Sequence, residues 1–242
     1  MSKKNKFETN AIHIGNEPDL STGSISPPIH LTSTYVQEEI GKNKGYDYSR
    51  GNNPTRQRLE KNIASLEGGY DAVAFSSGMA ATTALFQDLN QGDHVIISRN
   101  VYGGTYRMTT KVLSNHGLQF DFVDTTDIQN IEKAIKKNTK WIFVETPTNP
   151  MLEVTDIAAV SELCKEHNLL FAVDNTFMSP YGQRPIELGA DCVMHSSTKF
   201  IGGHSDVLGG ILIAKNKEFD FLPYRIYCER EFIITRLQNI FI

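Results

Sequence analysis

Apolar residues recur at helical spacing in three places along the chain: Leu59, Ile63 and Leu66; Ile128, Ile131 and Ile135; Ile157, Val160 and Cys164. Between and beside these runs lie short segments, most of them continuously apolar: Asp71–Phe75, His94–Ser98, Gln119–Val123, Trp141–Glu145, Leu169–Asp174, Cys192–His195 and Gly210–Ala214. Strands apolar at every position suit a sheet covered on both faces. Helices alternating with such strands predict an α/β fold, a mostly parallel sheet flanked by helices, over residues 55–215. Residues 1–54 read differently. Pro27-Pro28, the polar cluster Thr32-Ser33-Thr34 and scattered glycines leave no period, so this stretch is expected to be an arm lying on another surface. Residues 216–242 break the α/β pattern, end in the apolar stretch Ile233 to Ile242, and are expected to be a divergent tail.

Composition narrows the class without naming a reaction. Of 242 residues, 40% are hydrophobic and 21% charged, which is ordinary for a soluble globular enzyme. A net charge of −4, with basic residues clustered only at Lys3–Lys6, gives no electrostatic case for nucleic acid. No apolar run reaches transmembrane length and the N-terminal segment lacks a signal peptide's apolar core, so a cytoplasmic location with no membrane partner is expected. Cys164, Cys192 and Cys228 are isolated and odd in number, and show no metal or redox spacing. Buried or free thiols, and no metal site, are expected.

The chemistry concentrates at strand ends. In open α/β sheets ligands bind beyond the carboxyl ends of the parallel strands. Three polar groups fall there: Glu145, Asp174 and His195-Ser196. Each alone reads as a cap or turn residue. Together they lead into HSSTKFIGGHSD, where Lys199 lies between the hydroxyls of Ser196, Ser197 and Thr198 and the pair Gly202-Gly203. A lysine amine in that setting, partly desolvated, is a nucleophile able to form a Schiff base. Asp174 can cap a turn, or keep a pyridinium nitrogen protonated. The strand-to-helix turn Ser76-Ser77-Gly78-Met79 offers backbone N–H groups to a phosphate. Tyr102 can stack on a planar ring or serve as a core tyrosine. Tyr48 and Arg50 can supply a phenol and a planar cation, or pass for a solvated loop. Neither a GxGxxG nor a GxxxxGK[ST] pattern is present, which weakens a nucleotide reading.

Taken in order, AIHIGNEPD, PPIHLTSTY, YDYSRGNNPTRQRLE, AFSSGMAAT, VYGGTYR, VETPTNP, AVDNTFMSPYGQRP and HSSTKFIGGHSDVLGG resemble the cysteine and methionine metabolism family of pyridoxal-phosphate enzymes. The resemblance covers nearly all of residues 7–214. It implies the large domain of the aspartate-aminotransferase-like, fold type I enzymes, with a smaller C-terminal domain absent. Lys199 would carry the pyridoxal 5′-phosphate and shuttle protons, Asp174 would pair with the ring nitrogen, and Tyr102 would stack on the ring. Ser77, Gly78, Met79, Ser196 and Thr198 would bind phosphate. Tyr48 and Arg50 would reach the phosphate of a neighbouring subunit, implying self-association as a dimer or tetramer. Asn149 would lie near the phenolic oxygen, Thr176 and Glu145 around the ring, and Arg107, with Glu145, at the substrate mouth. Gly104 stands where methionine γ-lyases place a cysteine. Within the family the motifs are most similar to cystathionine γ-lyases, implying an amino-acid substrate and carbon–sulfur cleavage, with γ-synthases nearly as similar.

Overall fold

Trp141, Ile142, Phe143 and Val144 are all buried, and a strand that hides every residue needs a layer of helices on each side. The computed structural model, which describes residues 6–217, supplies both layers. Seven strands form one sheet: β1 (Asp71–Phe75), β2 (His94–Ser98), β3 (Gln119–Val123), β4 (Thr139–Glu145), β5 (Leu170–Asp174), β6 (Cys192–His195) and β7 (Gly210–Ala214). Their order is β1-β7-β6-β5-β4-β2-β3. Every strand runs the same way except β7, which pairs antiparallel with both β1 and β6. The sheet is thus mostly parallel, as the pattern predicts.

Seven α-helices are described: α1 (Phe7–His13), α2 (Pro54–Glu67), α3 (Gly78–Phe86), α4 (Gly103–Lys111), α5 (Ile128–Ala134), α6 (Ile157–Glu166) and α7 (Ser179–Gly182). Side chains alternate between the faces of a strand, and the core divides accordingly. Phe143, Ala172, Met194 and Leu212 pack with Leu85 and Phe86 of α3 and Met108 of α4. Val144, Phe171 and Val173 face Ile131 of α5 and Ile157 and Val160 of α6. Val193, Ile211 and Ile213 face Ile63 and Leu66 of α2 on that second side. Boundaries follow local chemistry. Asn53 caps α2 by accepting from the Thr55 amide at 2.9 Å, Pro54 opens it, and Gly68 closes it with φ 74°.

Sequence-based bounds move at β5, which begins at Leu170 and not Leu169, and in two further places. β4 begins at Thr139, not Trp141, because the Thr139 hydroxyl is buried against His94 Nδ1 at 2.8 Å, a partner that a polar Thr-Lys pair does not advertise. α1 was hidden inside the aperiodic arm: it buries none of its residues and so carries no apolar stripe. It is tied down by partly buried Phe7 against the α2 side of the core and by polar bonds, with Asn62 Nδ2 donating to the carbonyls of Asn10, Ala11 and Ile14. Cys164 and Cys192 are buried free thiols, as expected, and Cys228 lies outside the described residues. Most of the tail at 216–242 also lies outside them. Among the described residues no helix is long and apolar enough to cross a membrane, and no cluster of potential metal ligands occurs.

Candidate active site

The direction of the strands gathers the polar residues on one rim. Glu145 is in register with Asp174, and Asp174 with Met194, so the ends of β4, β5 and β6 lie side by side. β1 runs parallel to these, placing its outgoing turn Ser76-Ser77-Gly78 on the same rim, and antiparallel β7 starts there at Gly210, opposite Phe75. Beyond β4 the strand order doubles back over β2, the kind of switch point at which open sheets leave a crevice.

Two carboxyls sit nearly hidden in this rim, Glu145 at 5% and Asp174 at 6% exposed. Glu145 Oε2 accepts from the Tyr102 amide at 2.7 Å, and Oε1 from the Asn149 amide at 3.1 Å. It therefore fixes the loop that carries Tyr102 into α4 and the loop that carries Asn149 beyond β4. Both of its oxygens are spent on backbone, and its carboxyl lies beneath these loops instead of opening at a mouth. Tyr102 itself is half exposed. Asp174 Oδ1 accepts from the Thr176 amide at 3.0 Å, and Thr176 Oγ1 accepts from the Ser196 amide at 2.8 Å. Asp174 thus fills the turn-capping role considered for it through Oδ1, and that turn does not use its second oxygen.

The turn into α3 packs tightly on the end of β6. A Cβ at Gly78 would stand 2.7 Å from Ser196 Cβ, so only glycine permits this approach. Ser77 Oγ takes the Ala80 amide at 3.1 Å and Ser77 O the Ala81 amide at 3.1 Å. The amides of Gly78 and Met79 are left without a partner inside the helix, at its positive end. Thr198 Oγ1 bonds both backbone groups of Gly209, receiving from its amide at 3.1 Å and donating to its carbonyl at 3.3 Å. This joins the lysine loop to the start of β7.

Lys199 rises from that loop with its side chain exposed. The desolvation expected of it is not supplied by the described residues, among which its side chain is exposed. Its backbone is nevertheless held, the amide donating to Ser196 O at 3.2 Å and the carbonyl accepting from Gly203 at 2.8 Å, with Gly203 at φ 73°. Arg107 is exposed on α4, one helical turn from Tyr102. Tyr48 and Arg50 lie on the arm before α2, the guanidinium 4.8 Å from the ring centroid of its neighbour.

Burial, and then the charge of Asp174, push the Glu145 carboxyl from 4.5 to about 7, against the two amides that pull it down. Burial likewise holds the Asp174 carboxyl above its usual range, opposed by the Thr176 hydrogen bonds and by the charge of His195. A carboxyl raised in the fold takes up a proton on folding between its unfolded and folded values. Its contribution is fully present below about pH 4.5 and is lost as the pH rises through about 7, by up to roughly 3 kcal/mol. Urea unfolding of the ligand-free chain should therefore show a midpoint falling from pH 5 to pH 8. Glu145→Gln should flatten that slope, and an unchanged slope in the variant would place the titration elsewhere.

Sequence reasoning did not find the layer beneath the rim. Glu67 and His195, both fully buried, bond through Glu67 Oε1 and His195 Nε2 at 2.5 Å. Asn175 donates to the same oxygen at 2.8 Å, and Gln183 Nε2 donates to Asn175 Oδ1 at 3.0 Å and to Thr146 O at 3.1 Å. A glutamate closing a helix is unremarkable in sequence, and its partner is 128 positions away. The polar residue just after an otherwise apolar strand was the sole signal available.

This sheet, with its rim of strand-end carboxyls, helix N-terminus and lysine loop, defines the class: the fold is that of the fold type I pyridoxal-phosphate enzymes, matched over part of their length. The structure superposes on metB from Corynebacterium glutamicum with a TM-score of 0.88 at 48% identity, over 90% of this chain and 57% of that one. It superposes equally well, at 0.88 and 47% identity, on the cystathionine gamma-lyase from Lactobacillus plantarum complexed with L-serine, over 93% of this chain and 58% of that one. Residues 8–226 match the family described as Cys/Met metabolism PLP-dependent enzyme, and the chain belongs to that family. Among curated relatives, the putative cystathionine gamma-lyase 2 of Caenorhabditis elegans is 54% identical, over 88% of this chain and 55% of its own length. The probable cystathionine gamma-synthase of Herpetosiphon aurantiacus is 51% identical, over 88% of this chain and 66% of its own length. The cystathionine gamma-lyase of Bacillus subtilis is also 51% identical, over 88% of this chain and 56% of its own length. The chain thus spans between half and two thirds of the length of these relatives, which divide among several reactions.

Proposed function

We propose that this chain carries the pyridoxal-phosphate site of a carbon–sulfur lyase of the cystathionine γ-lyase type, which cleaves cystathionine to cysteine, 2-oxobutanoate and ammonia. The observation that carries the reading is the convergence on one rim of a buried carboxyl, a helix N-terminus with two unused amides, and an exposed lysine on a fixed loop. The donor set fits the cofactor. Asp174 suits a ring nitrogen, the tight cradle of Ser77, Gly78 and Met79 with Ser196 suits a phosphate, and the half-exposed Tyr102 suits the ring. Thr198 is partly used by Gly209, so its hydroxyl would have to share.

Pyridoxal phosphate, when bound, supplies an electron sink for charge left at the substrate α-carbon. The protein does the rest. Lys199 Nζ would hold the cofactor, take the α-proton and return protons along the chain of substrate carbons. Asp174 would keep the ring nitrogen protonated, and Glu145 would hold the Tyr102 and Asn149 loops over the site. Thr176 would orient Asp174, and Arg107, on the open side of α4, would meet the amino-acid substrate. Tyr48 and Arg50 would act on the phosphate of a neighbouring subunit, with residues 1–54 as the connecting arm and residues 55–215 as the cofactor domain. Support for that arm lies in its bare apolar residues, Leu31 at 94% and Val36 at 89% exposed in the single chain. The free, buried thiols accord with a cytoplasmic setting.

The test is to purify the chain with pyridoxal phosphate and offer two substrate sets. Cysteine and 2-oxobutanoate released from cystathionine support the lyase. Cystathionine formed from cysteine and an activated homoserine would reassign the chain as a γ-synthase, the reading favoured by its 51% identity to the Herpetosiphon relative. Cofactor binding with neither reaction would reduce it to a cofactor-binding module. Gly104 offers a finer check. A Cβ there would run into the Tyr102 ring and stand 2.8 Å from Met79 Sδ. Gly104→Cys should therefore displace Tyr102 at an overpacking cost of about 1–3 kcal/mol. It should weaken cofactor binding correspondingly in an absorbance titration, and undiminished affinity would mean that Tyr102 does not bear on the ring.

A further inference from the structure

The loop that carries Asn149 is not held by burial. It leaves β4 after Glu145 and returns to α6 at Ile157, and its apolar residues Met151, Leu152 and Val154 are all exposed. Leu152 sits at φ 55°, a left-handed backbone that a leucine keeps only where its surroundings hold it. Polar bonds do the holding. Within the loop, Thr148 Oγ1 accepts from the Glu153 amide at 3.0 Å, and the Thr148 amide donates to Glu153 O at 3.0 Å. On the solvent side, Arg99 donates to Glu153 Oε1 at 2.6 Å and pairs with Asp124 Oδ2 at 2.9 Å.

Further in lies a chain of buried hydroxyls that no step of the proposed reaction uses. Ser98 ends β2, Thr125 lies just beyond β3, and Thr155 comes just before the cap of α6; all three are buried. Thr125 Oγ1 stands 3.2 Å from Ser98 Oγ and 2.7 Å from Thr155 Oγ1, hydrogen-bonding both. The two ends of this chain reach the site. Ser98 Oγ accepts from the Glu145 amide at 3.2 Å, and the Thr155 amide donates to Thr146 Oγ1 at 3.0 Å. Packing alone asks for no hydroxyls here, because replacing paired polar groups by apolar ones of the same shape can be nearly neutral. What the hydroxyls add is direction, tying the loop after β4 to the ends of β2 and β3, where the strand order doubles back.

We infer that Thr125 is a positioning residue: through Thr155 and Ser98 it fixes the Asn149 loop and the Glu145 backbone in register with the cofactor site. The inference rests on the pyridoxal-phosphate reading, which sets Asn149 beside the ring, but the anchoring belongs to the chain alone. Glu145 passes the constraint on, since its carboxyl accepts the amides of both Asn149 and Tyr102. Arg99 is the weaker hold, because an ion pair with a half-exposed guanidinium contributes little beside a buried hydrogen-bonded pair.

The experiment has two arms. The first needs no cofactor: amide hydrogen exchange at Asn149 and Thr155, followed by NMR in the ligand-free chain. Thr125→Val deletes the hydroxyl and should speed exchange at both amides about tenfold, a larger factor than in the central strand β5. Thr125→Ser keeps the hydroxyl and should exchange as the unaltered chain does. Thr155→Val breaks the same bond from its other side and should reproduce the effect, which keeps the test open if Thr125→Val fails to fold. The second arm is an absorbance titration of each chain with pyridoxal phosphate. In Thr125→Val the visible band of the bound cofactor should move and the dissociation constant rise about threefold or more, both restored in Thr125→Ser. Exchange at the loop that is unchanged in the valine variants, or no faster there than in β5, would overturn the inference. So would a serine variant that behaves as the valine one does, or a band and constant that Thr125→Val leaves unmoved. Exchange that follows the hydroxyl, in a chain whose unaltered form binds no cofactor, would instead overturn the cofactor reading and with it the purpose assigned to Thr125.

Discussion

Lys199→Ala should leave the chain folded and abolish its covalent hold on pyridoxal phosphate. The unaltered chain is expected to give a visible absorbance band with the cofactor and, after borohydride, a stable adduct on the peptide containing residue 199; the variant should give neither. The expected loss is complete because, among the described residues, no other lysine combines an exposed side chain with a loop fixed on the rim. Stability should move by no more than about 0.5 kcal/mol, since the side chain is exposed and the loop is held by backbone bonds to Ser196 and Gly203. An adduct that survives the substitution, on another lysine, would remove the basis for the site.

Asp174→Asn should act with opposite sign on stability and on chemistry. Asparagine keeps the shape and can still accept from the Thr176 amide, but it carries no charge. The ligand-free chain should become more stable near pH 8, read as a raised urea midpoint, because a carboxylate that burial disfavours is gone and Glu145 loses its charged neighbour. Turnover of cystathionine should fall by on the order of 10²–10³, the loss typical of deleting one preorganised electrostatic partner. Urea midpoints and product assays read the two effects separately. A variant that is less stable yet equally active would show that Asp174 serves the fold and not the ring.

What the sequence disclosed, and what it hid, divides along physical lines. Most of the seven strands are readable because a strand covered on both faces is apolar at nearly every position, as in Trp141–Val144, and needs no knowledge of its neighbours, whereas β3 at the sheet edge buries none of its residues fully. Helices with one packed face, such as that carrying Ile157 and Val160, are readable for the same reason. α1 is not, because it buries no side chain and is held by Asn62 from 48 to 52 positions away. At the site, Lys199, Asp174 and the Ser77-Gly78 turn stand out by position after apolar strands. The exposure of Lys199 and the burial of Glu145 could not be read, since both depend on which loops lie above them. Glu67 was invisible for a plainer reason: its meaning comes from His195, and no local pattern links the two.

The reversed strand β7 governs when the site can come into being. In the described sheet β1 has a ladder only with β7, Asp71 opposite Ala214 and Phe75 opposite Gly210, and Gly210 lies against the carbonyl of Ser77. As the chain leaves the ribosome, β1 emerges early and waits unpaired until residue 214 has followed. Sequential βα units can dock behind it meanwhile, but the edge of β1 stays open to wrong partners over that interval. The turn at Gly78 and the loop of Lys199 are clamped together only when that last strand threads between them. The rim is therefore assembled in one late step, once residue 210 has followed, and not strand by strand.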